Sequence, residues 1–462
     1  MSADCALTDK RIDILVAEIG STITKVNAFV LTPYPQLLSR GEKPTTVLAG
    51  DVTVGLQAAL ADLAIRQGEE GTNQSQAYWD VPMWASSSAA GGLRMTVHGL
   101  VYEMTVRAAR EAALGAGAIL HVVTAGKLTT GDLHRIKEIN PNIILLTGGV
   151  EHGEKETVIH NARFLAGLGL SAPVIYAGNS AARQEVSRAF NGTSQRLSIV
   201  ENVYPRLDEL NVEPTRRVIQ QVFEEHIIVA PGMHRIIQMV TGRIMPTPGA
   251  VMEAAKLLAE EIGDLMIIDM GGATTDVHSV TEGSEEITRI LVAPEPTAKR
   301  TVEGDLGLFV NAANVIELIG KDMLVKELEF AINDLPQNPI PSSPQEKEFN
   351  LHLAQKIVPM AVRRHVGRIK HLYSSTGRIT VAEGKDLSQV KWIIGTGGFL
   401  TRQPEGRTIL GEVRTKGAEM DLLPSAGAKI LIDKDYIVSS AGVLAEKYPA
   451  EALALLKQSL GL

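Results

Sequence analysis

An aspartate, glycine and threonine stretch after an apolar run is the part of the sequence best suited to chemistry. Residues 265–280 read LMIIDMGGATTDVHSV, so two aspartates bracket two glycines and two threonines. Adjacent glycines let the backbone approach a polyanion closely. An unpaired carboxylate at the end of a buried strand is costly, and a hydrated Mg²⁺ would relieve that cost. The alternative is a type I′ hairpin turn whose threonine side chains form local hydrogen bonds with nearby backbone groups. The candidate phosphate and metal residues are Asp269, Gly271, Gly272, Thr274, Thr275 and Asp276.

Two other glycine-rich turns follow apolar runs. Residues 18–25 read EIGSTITK, in which the turn can present N–H groups and hydroxyls to phosphate and the lysine can add charge. Residues 393–400 read IIGTGGFL, a strand end that can lie flat against a base or ribose. An ordinary hairpin turn and a strand-to-helix turn are the respective alternatives. The candidate nucleotide-binding residues are Gly20, Ser21, Thr22 and Lys25 in one turn and Gly395, Gly397 and Gly398 in the other.

The elements around these turns predict an α/β protein with several domains. The short link between the apolar runs 12–19 and 24–31 indicates a β-hairpin. Between about 101 and 200, apolar strands alternate with helices, which is typical of a parallel sheet covered on both faces. We therefore predict a first lobe at 10–114, an inserted α/β domain at 115–204, a helical connector at 205–262, and a second lobe at 263–462 with a proline-rich linker or exposed loop at 334–346.

Composition excludes several classes of protein. The net charge of −8 argues against a nucleic-acid surface, which needs clustered cations. Cys5 is the single cysteine, so one chain cannot form a disulfide or supply the four thiolates of an iron–sulfur cluster. The first residues lack the apolar segment of a signal peptide, and no run of about 18 apolar residues suggests a membrane span. We expect a cytoplasmic location and no membrane partner.

The three turns, in this order, resemble those of the actin, sugar kinase and heat-shock chaperone ATPase superfamily. That superfamily carries a first phosphate loop D-x-G-[ST]-x-x-[TK], a second D-x-G-G-x-[TS]-x-D and an adenosine loop x-G-G. The resemblance implies two RNase H-like lobes with ATP and Mg²⁺ between them. Glu18 stands where the superfamily usually has aspartate. Being longer by one methylene, it can still contact Mg²⁺ through water, although it places that water differently.

Longer stretches resemble a narrower family, the MutL-type glutamate mutase accessory proteins, which are unrelated to the mismatch-repair protein of that name. These stretches are ASSSAAGGLRM (85–95), LLTGG (145–149), TPGAV (247–251), IDMGGATTDVHSV (268–280) and KRTVEGDLG (299–307). The resemblance implies a chaperone-like ATPase that reactivates an adenosylcobalamin-dependent mutase, such as glutamate mutase or an aminomutase, by promoting release of damaged cobalamin. Its protein partners would be the mutase subunits, and the inserted domain is the candidate for docking on them.

The acidic turn TVEGDLG offers one more candidate. Glu303 could order a water molecule or a metal ion near the nucleotide, and we include it with Glu18 and Asp269 as a catalytic candidate. Asp305 is better explained as an N-terminal cap of the helix that follows.

Other functions of the superfamily stay open. A sugar or carboxylate kinase would need a general base beside the γ-phosphate, and the sequence offers no convincing one outside the phosphate loops. A non-catalytic, actin-like scaffold is a second alternative. The dehydratase activator ATPases hold a cluster between subunits, and the single thiolate of Cys5 per chain argues against that class.

Overall fold

The computed structural model describes most of the chain, in the following ranges: 11–46, 50–66, 81–88, 93–115, 118–207, 209–227, 233–320, 324, 328, 338–374, 377–415 and 420–462. Cys5, residue 10 and residues 334–337 of the proline-rich segment lie outside these ranges.

The first lobe begins with the predicted hairpin. Its apolar strands β1 and β2 pair antiparallel around a turn at residues 20–22, and β3 continues the meander. Strand β4 lies parallel to β1 on the other side. Helix α1 packs so closely on β3 that a Cβ on Gly41 would lie 1.8 Å from the Ala59 carbonyl oxygen. The bounds are β1 Ile14–Ile19, β2 Ile23–Val30, β3 Gln36–Pro44, α1 Val52–Arg66 and β4 Met83–Ser87.

An α/β domain follows β4 as an insertion. Its elements are β5 Leu93–Gly99, a π-helical turn Tyr102–Val106, α2 Arg107–Gly115, β6 Ala118–Ala125, α3 Thr130–Ile139, β7 Ile143–Leu146, α4 Glu156–Ala166, β8 Val174–Tyr176, α5 Arg183–Phe190 and β9 Leu197–Ile199. All five strands are parallel, in the order β6-β5-β7-β8-β9. Counted from β5, this is the 2-1-3-4-5 order of flavodoxin-like sheets.

The predicted boundary at residue 115 is too late. Strand β5 lies between β6 and β7 in the inserted sheet, so this sheet begins at Leu93. In the segment LRMTVHG, polar residues alternate with apolar ones, which is typical of a half-exposed strand. Here Thr96 and His98 are nevertheless fully buried, because helices cover both faces.

The chain then returns to the first lobe through α6 Glu213–Ile227, α7 Met233–Met239, β10 Ile244–Pro246 and α8 Thr247–Ile262. The segment predicted as a helical connector therefore contains a strand. Strand β10 pairs parallel to β4 and completes the sheet of the first lobe, in the order β10-β4-β1-β2-β3. Pro248 lies in the first turn of α8, where its missing N–H has no partner to lose.

The second lobe repeats this topology. Its elements are β11 Leu265–Met270, β12 Thr275–Val280, α9 Glu285–Thr288, β13 Ala298–Glu303, α10 Ala312–Ile319, α11 Pro344–His365, β14 Arg368–Ser374, β15 Gly377–Glu383, β16 Trp392–Thr396, α12 Gly398–Arg402, α13 Gly406–Gly411, β17 Lys429–Ile432, α14 Val438–Ala445 and α15 Pro449–Leu460. The sheet order is β13-β12-β11-β16-β17, with the first three strands antiparallel and the last two parallel to β11. Two sheets of the same order and polarity confirm the prediction of two RNase H-like lobes.

The lobes share a core. One apolar cluster combines residues of the first hairpin, of the second hairpin and of α8 and α14. Helices α8 and α14 cross at Gly442, where a Cβ would lie 1.7 Å from the Ala250 carbonyl oxygen. This close crossing holds the two glycine-rich hairpins side by side.

Candidate nucleotide-binding cleft

A cavity of about 420 Å³ lies where the two hairpin turns meet, a size ordinary for a small-molecule site. We call it the cleft. It brings together most of the residues singled out from the sequence, namely Glu18, Gly20, Ser21, Thr22, Lys25, Asp269, Gly271, Gly272, Thr274, Asp276 and Gly398.

The second turn, residues 271–274, closes tightly because Gly271 N–H donates to the Thr274 carbonyl at 2.9 Å. The carbonyl of Gly272 accepts from the amides of Phe309 and Val310, each at 2.8 Å, which fixes the turn on the segment after β13. A Cβ on Gly272 would lie 2.7 Å from Thr22 Cγ2, so glycine lets the two turns approach across the cleft.

The first turn, residues 20–22, is held from its own lobe. Gly20 N–H donates to the Ile23 carbonyl at 3.0 Å, and Ser21 Oγ donates to the Ser88 carbonyl at 3.1 Å. Ser88 itself follows β4 and lines the cleft. On the same wall lie Thr247 and Pro248, which begin α8.

Asp269 is the carboxylate best placed for a cation. It is the fifth residue of β11 and lies in register with Asp276 on β12. Burial and then the Asp276 charge raise the pKa of Asp269 to about 7. Within the described ranges, no hydrogen-bond donor contacts the Asp269 carboxylate. A carboxylate in this state is stabilised by a bound cation.

Asp276 lines the cleft but already has a charged partner. Its Oδ2 lies 3.0 Å from Arg300 Nη2, and both side chains are buried. Burial raises the pKa of Asp276, and Arg300 opposes that shift. The negative charge of Asp276 therefore acts on Asp269, while the positive charge of Arg300 compensates the charge of Asp276.

Glu18 has both carboxylate oxygens engaged. Oε2 lies 3.0 Å from Lys25 Nζ, and Oε1 accepts from Ser440 Oγ at 2.7 Å. Lys25 also donates to the Tyr436 carbonyl at 2.7 Å, so the group spans both lobes. Burial lowers the pKa of Lys25, and Glu18 opposes that shift. Each Glu18 oxygen therefore already has one partner, and a metal-bound water would share an oxygen with Lys25 or Ser440.

The third turn contributes less surface than the sequence suggested. Gly398 lines the cleft. Gly395 lies within β16, where a Cβ would meet a Leu410 methyl at 2.6 Å. Gly397 has φ of +95° and lies against the Met270 backbone, so it permits the turn. The walls beside this turn are Thr396, Phe399, Arg402 and Gln403.

Two other candidates lie outside the cleft lining. Thr275 is fully buried, and its hydroxyl donates to the Leu306 carbonyl at 2.7 Å. Glu303 Oε2 accepts from Arg364 at 2.7 Å, and the same guanidinium contacts Asp305. Burial raises the pKa of Glu303, which Arg364 counteracts. These contacts give Thr275 and Glu303 structural partners outside the cleft lining, while the nucleotide-binding role of Thr275 and the catalytic role of Glu303 stay predictions.

Sequence reasoning missed one wall of the cleft. Residues 338–341, the described part of the proline-rich segment before α11, line it together with Lys347 and Asn350 from the first turns of that helix. A capping box between Ser343 and Glu346 fixes the start of α11. Prolines indicate a loop but not what the loop covers, so the sequence held no signal for this wall.

The donor set fits a largely hydrated Mg²⁺. In the described part of the chain, no group of three or more His, Cys, Asp or Glu side chains could hold a metal by protein ligands alone. One partly exposed carboxylate, Asp269, with room around it suits an ion that keeps most of its waters. None of the helices within the described ranges combines the length and apolar character needed to cross a bilayer.

Comparison with known proteins places the chain in a family. The model of the family described as "MutL protein" matches residues 14–460. "Protein MutL" of Clostridium tetanomorphum is 38% identical over 463 residues, covering 96% of this chain and 98% of that protein. Among solved structures, a glycerol dehydratase reactivase matches with 12% identity and a TM-score of 0.35, covering 94% of this chain and 99% of its own. A nucleotide-free diol dehydratase-reactivating factor matches with 11% identity, a TM-score of 0.35 and the same coverage. The near-complete family match and the 38% identity show that the chain belongs to the MutL family.

Proposed function

We propose that this protein is a chaperone-like ATPase that reactivates an adenosylcobalamin-dependent mutase, of the glutamate mutase or aminomutase type, in the cytoplasm. Two facts support the proposal: membership of the MutL family, and a cleft between two RNase H-like lobes lined by both glycine-rich turns. The observation that carries the proposal is the position of Asp269 beside the meeting point of the turns, where no residue that the structure describes donates a hydrogen bond to its carboxylate.

In this proposal ATP and Mg²⁺ occupy the cleft. The backbone of residues 20–22 and 271–274 faces the phosphates, as turns with accessible N–H groups do. The Thr22 and Thr274 hydroxyls and Lys25 lie on the same walls. Asp269 holds the ion through its carboxylate or a bound water, and the ion would neutralise charge that develops on the phosphates. Glu18 enters this set once Lys25 turns from it toward the nucleotide.

The second half of the proposal is a population shift in the mutase. Release of a tightly bound corrinoid requires a partner that binds the open mutase better than the closed one. Each tenfold loosening requires about 1.4 kcal/mol of differential binding. We assign that contact to the inserted domain, residues 93–204, because it is additional to the two lobes. Rotation of the lobes on nucleotide exchange would then reset the complex.

The deciding experiment adds purified protein, ATP and Mg²⁺ to a mutase inactivated by hydroxocobalamin. The expected result is ATP-dependent release of corrinoid, followed by recovery of activity with fresh adenosylcobalamin. The Asp269→Asn variant is the matched control and should release little. Absence of release from glutamate mutase and from aminomutases would contradict the proposal.

The same material distinguishes the alternatives. ATP consumption that requires a small hydroxylated compound would indicate a kinase, whereas stimulation by inactivated mutase supports a reactivating factor. ATP-dependent sedimentation without hydrolysis would indicate a scaffold.

A further inference from the structure

Arg300 on β13 joins two parts of the molecule that are far apart in sequence. Its Nη2 lies 3.0 Å from Asp276 Oδ2, and its Nη1 donates to the Leu114 carbonyl at 3.0 Å. Its side chain is completely buried. A single guanidinium thus contacts both the strand after the second turn and the end of helix α2 in the inserted domain.

The Asp276 end of this contact lies at the cleft. Asp276 lines the cavity and is in register with Asp269, the proposed metal-holding residue. His278, two residues after Asp276 on β12, is the residue in register with Arg300 on β13. A change of charge at Asp269 therefore acts on Asp276 and Arg300 through buried protein, where screening by solvent is weak.

The Leu114 end lies at the base of the inserted domain. Helix α2 follows β5, an interior strand of the inserted sheet at which the flavodoxin-like order reverses. Two ion pairs also hold α2 against the second lobe: Arg107 with Glu295, and Glu111 with Lys385 at 3.1 Å. Neither of these contacts Asp276 or the cleft lining. Arg300 therefore differs from them by connecting the helix to the cleft.

Arginine suits this role because its planar fork can serve two acceptors in a fixed geometry. Lysine also has several N–H donors, but they rotate on a flexible stem and would not hold the two acceptors in one fixed geometry. A buried ion pair is weak evidence for stability, since apolar residues of the same shape often stabilise as well. The contact of Arg300 with both acceptors is better explained by the geometry that it fixes between Asp276 and the end of α2.

We propose that Arg300 is a positioning residue that couples occupancy of the cleft to the orientation of α2, and hence to the inserted domain. The proposal rests on the proposed function in one respect, that the cleft binds nucleotide. Nucleotide and its cation change the charge beside Asp276, and Arg300 transmits the change to the end of α2. By reciprocity, a mutase bound to the inserted domain changes the nucleotide affinity by the same factor.

The first test needs no variant. Hydrogen exchange is measured on the full chain with and without Mg²⁺ and ADP, while calorimetry verifies ADP binding. The expected result is a change of about tenfold in the exchange rates of amides at residues 111–115, which lie outside the cleft lining. ADP binding without any response in α2 would overturn the coupling while leaving the proposed function intact. Absence of ADP binding would overturn both.

The second test uses Arg300→Lys and Arg300→Met. Both should still bind ADP, but the exchange response of residues 111–115 should be lost or fall several-fold. Arg107→Met is the matched control, because it removes an arginine that ties the same helix to the same lobe without contacting Asp276. A wild-type response in folded Arg300→Lys, or an equal loss in Arg107→Met, would overturn the proposal. If the Arg300 variants do not fold, hydrogen exchange on the wild-type chain with and without ADP still tests whether α2 responds to the cleft.

Discussion

Lys25 Nζ lies 3.0 Å from Glu18 Oε2 across β1 and β2, and both side chains are buried at the junction of the lobes. Lys25 continues to the Tyr436 carbonyl and Glu18 to the Ser440 hydroxyl, so the pair connects the first hairpin to the segment around α14. An aspartate at position 18 would be shorter by one methylene and could not keep both contacts without a shift of the backbone. The longer glutamate thus allows this buried polar contact between the lobes.

Breaking this pair should destabilise the protein. Glu18→Gln leaves a buried Lys25 without its counter-charge, and loss of one partner of a buried pair costs about 3 kcal/mol or more. Lys25→Met should cost a similar amount, while the double variant should recover part of the loss. Thermal unfolding of the four proteins measures this. Strict additivity of the two single effects would contradict an interaction between these side chains.

Asp269→Asn should abolish most of the Mg²⁺ dependence of ATP binding. The amide removes the negative charge that we propose holds the hydrated ion, and nucleotide affinity in Mg²⁺ should fall about tenfold or more. Calorimetric titration with ATP in the presence of Mg²⁺ or EDTA measures the difference. Asp264→Asn, just before the same strand and bonded to Thr281, is the control and should titrate like the wild type. An unchanged Mg²⁺ effect in Asp269→Asn would remove this residue from the metal site.

Glu303→Gln should change ATP turnover by no more than about threefold. Its carboxylate is bonded to Arg364 and lies outside the cleft lining, so substitution mainly weakens a partly exposed ion pair. Steady-state ATP hydrolysis with saturating nucleotide is the measurement. A hundredfold loss would instead restore Glu303 to the catalytic role that its sequence context suggests.

Gly272→Ala should weaken nucleotide binding. The added methyl would lie 2.7 Å from Thr22 Cγ2 and 2.8 Å from Thr22 Oγ1, so either the Thr22 side chain must move or the two turns must separate. Overpacking of this kind costs about 1–3 kcal/mol, and if that cost falls on the bound state, affinity should fall by about fivefold or more. Thr22→Ala removes the atoms nearest to the new methyl. The double variant should therefore bind better than Gly272→Ala alone, and no such rescue would locate the defect elsewhere.

Acid should destabilise the protein through His98. This ring is fully buried between Thr96 and Thr124, and burial lowers its pKa from 6.5 to about 4. The unfolded chain binds a proton below pH 6.5 and the folded one does not, so stability present above pH 6.5 is lost as the pH falls toward 4. The loss amounts to about 3 kcal/mol at pH 4. His98→Gln should unfold with a shallower pH dependence, whereas the exposed His134→Gln should match the wild type. An unchanged slope in His98→Gln would contradict this assignment.

Local sequence patterns predicted the two hairpins and their turns well. The glycines at 20, 271 and 272 and the apolar runs beside them suffice to predict strand, turn and strand, because both partners lie within a few residues. The alternation of strands and helices between 118 and 190 could be predicted in the same way. The order of the three glycine-rich turns then indicated the arrangement of the lobes.

Contacts between residues that are far apart in sequence could not be predicted from local patterns. Glu18 meets Ser440, which is 422 positions away, and no local pattern marks either as the partner of the other. Arg300 contacts Leu114 across 186 positions. Strand β5 was placed in the first lobe because its pairing with β7 spans two helices and a strand, namely α2, β6 and α3. Each of these features depends on tertiary packing that single-sequence patterns do not encode.

The insertion point of the α/β domain has a mechanical consequence. The chain leaves the first lobe from β4 through Ser88 and returns through β10 to Thr247, and both residues form part of the cleft wall. The two chain connections of the domain to the first lobe thus lead to neighbouring strands at the cleft, in addition to the contacts of α2 with the second lobe, and the domain can act as a lever arm on these strands. A torque applied to the domain by a bound partner is delivered at the cleft wall, on the same strands that position the first turn.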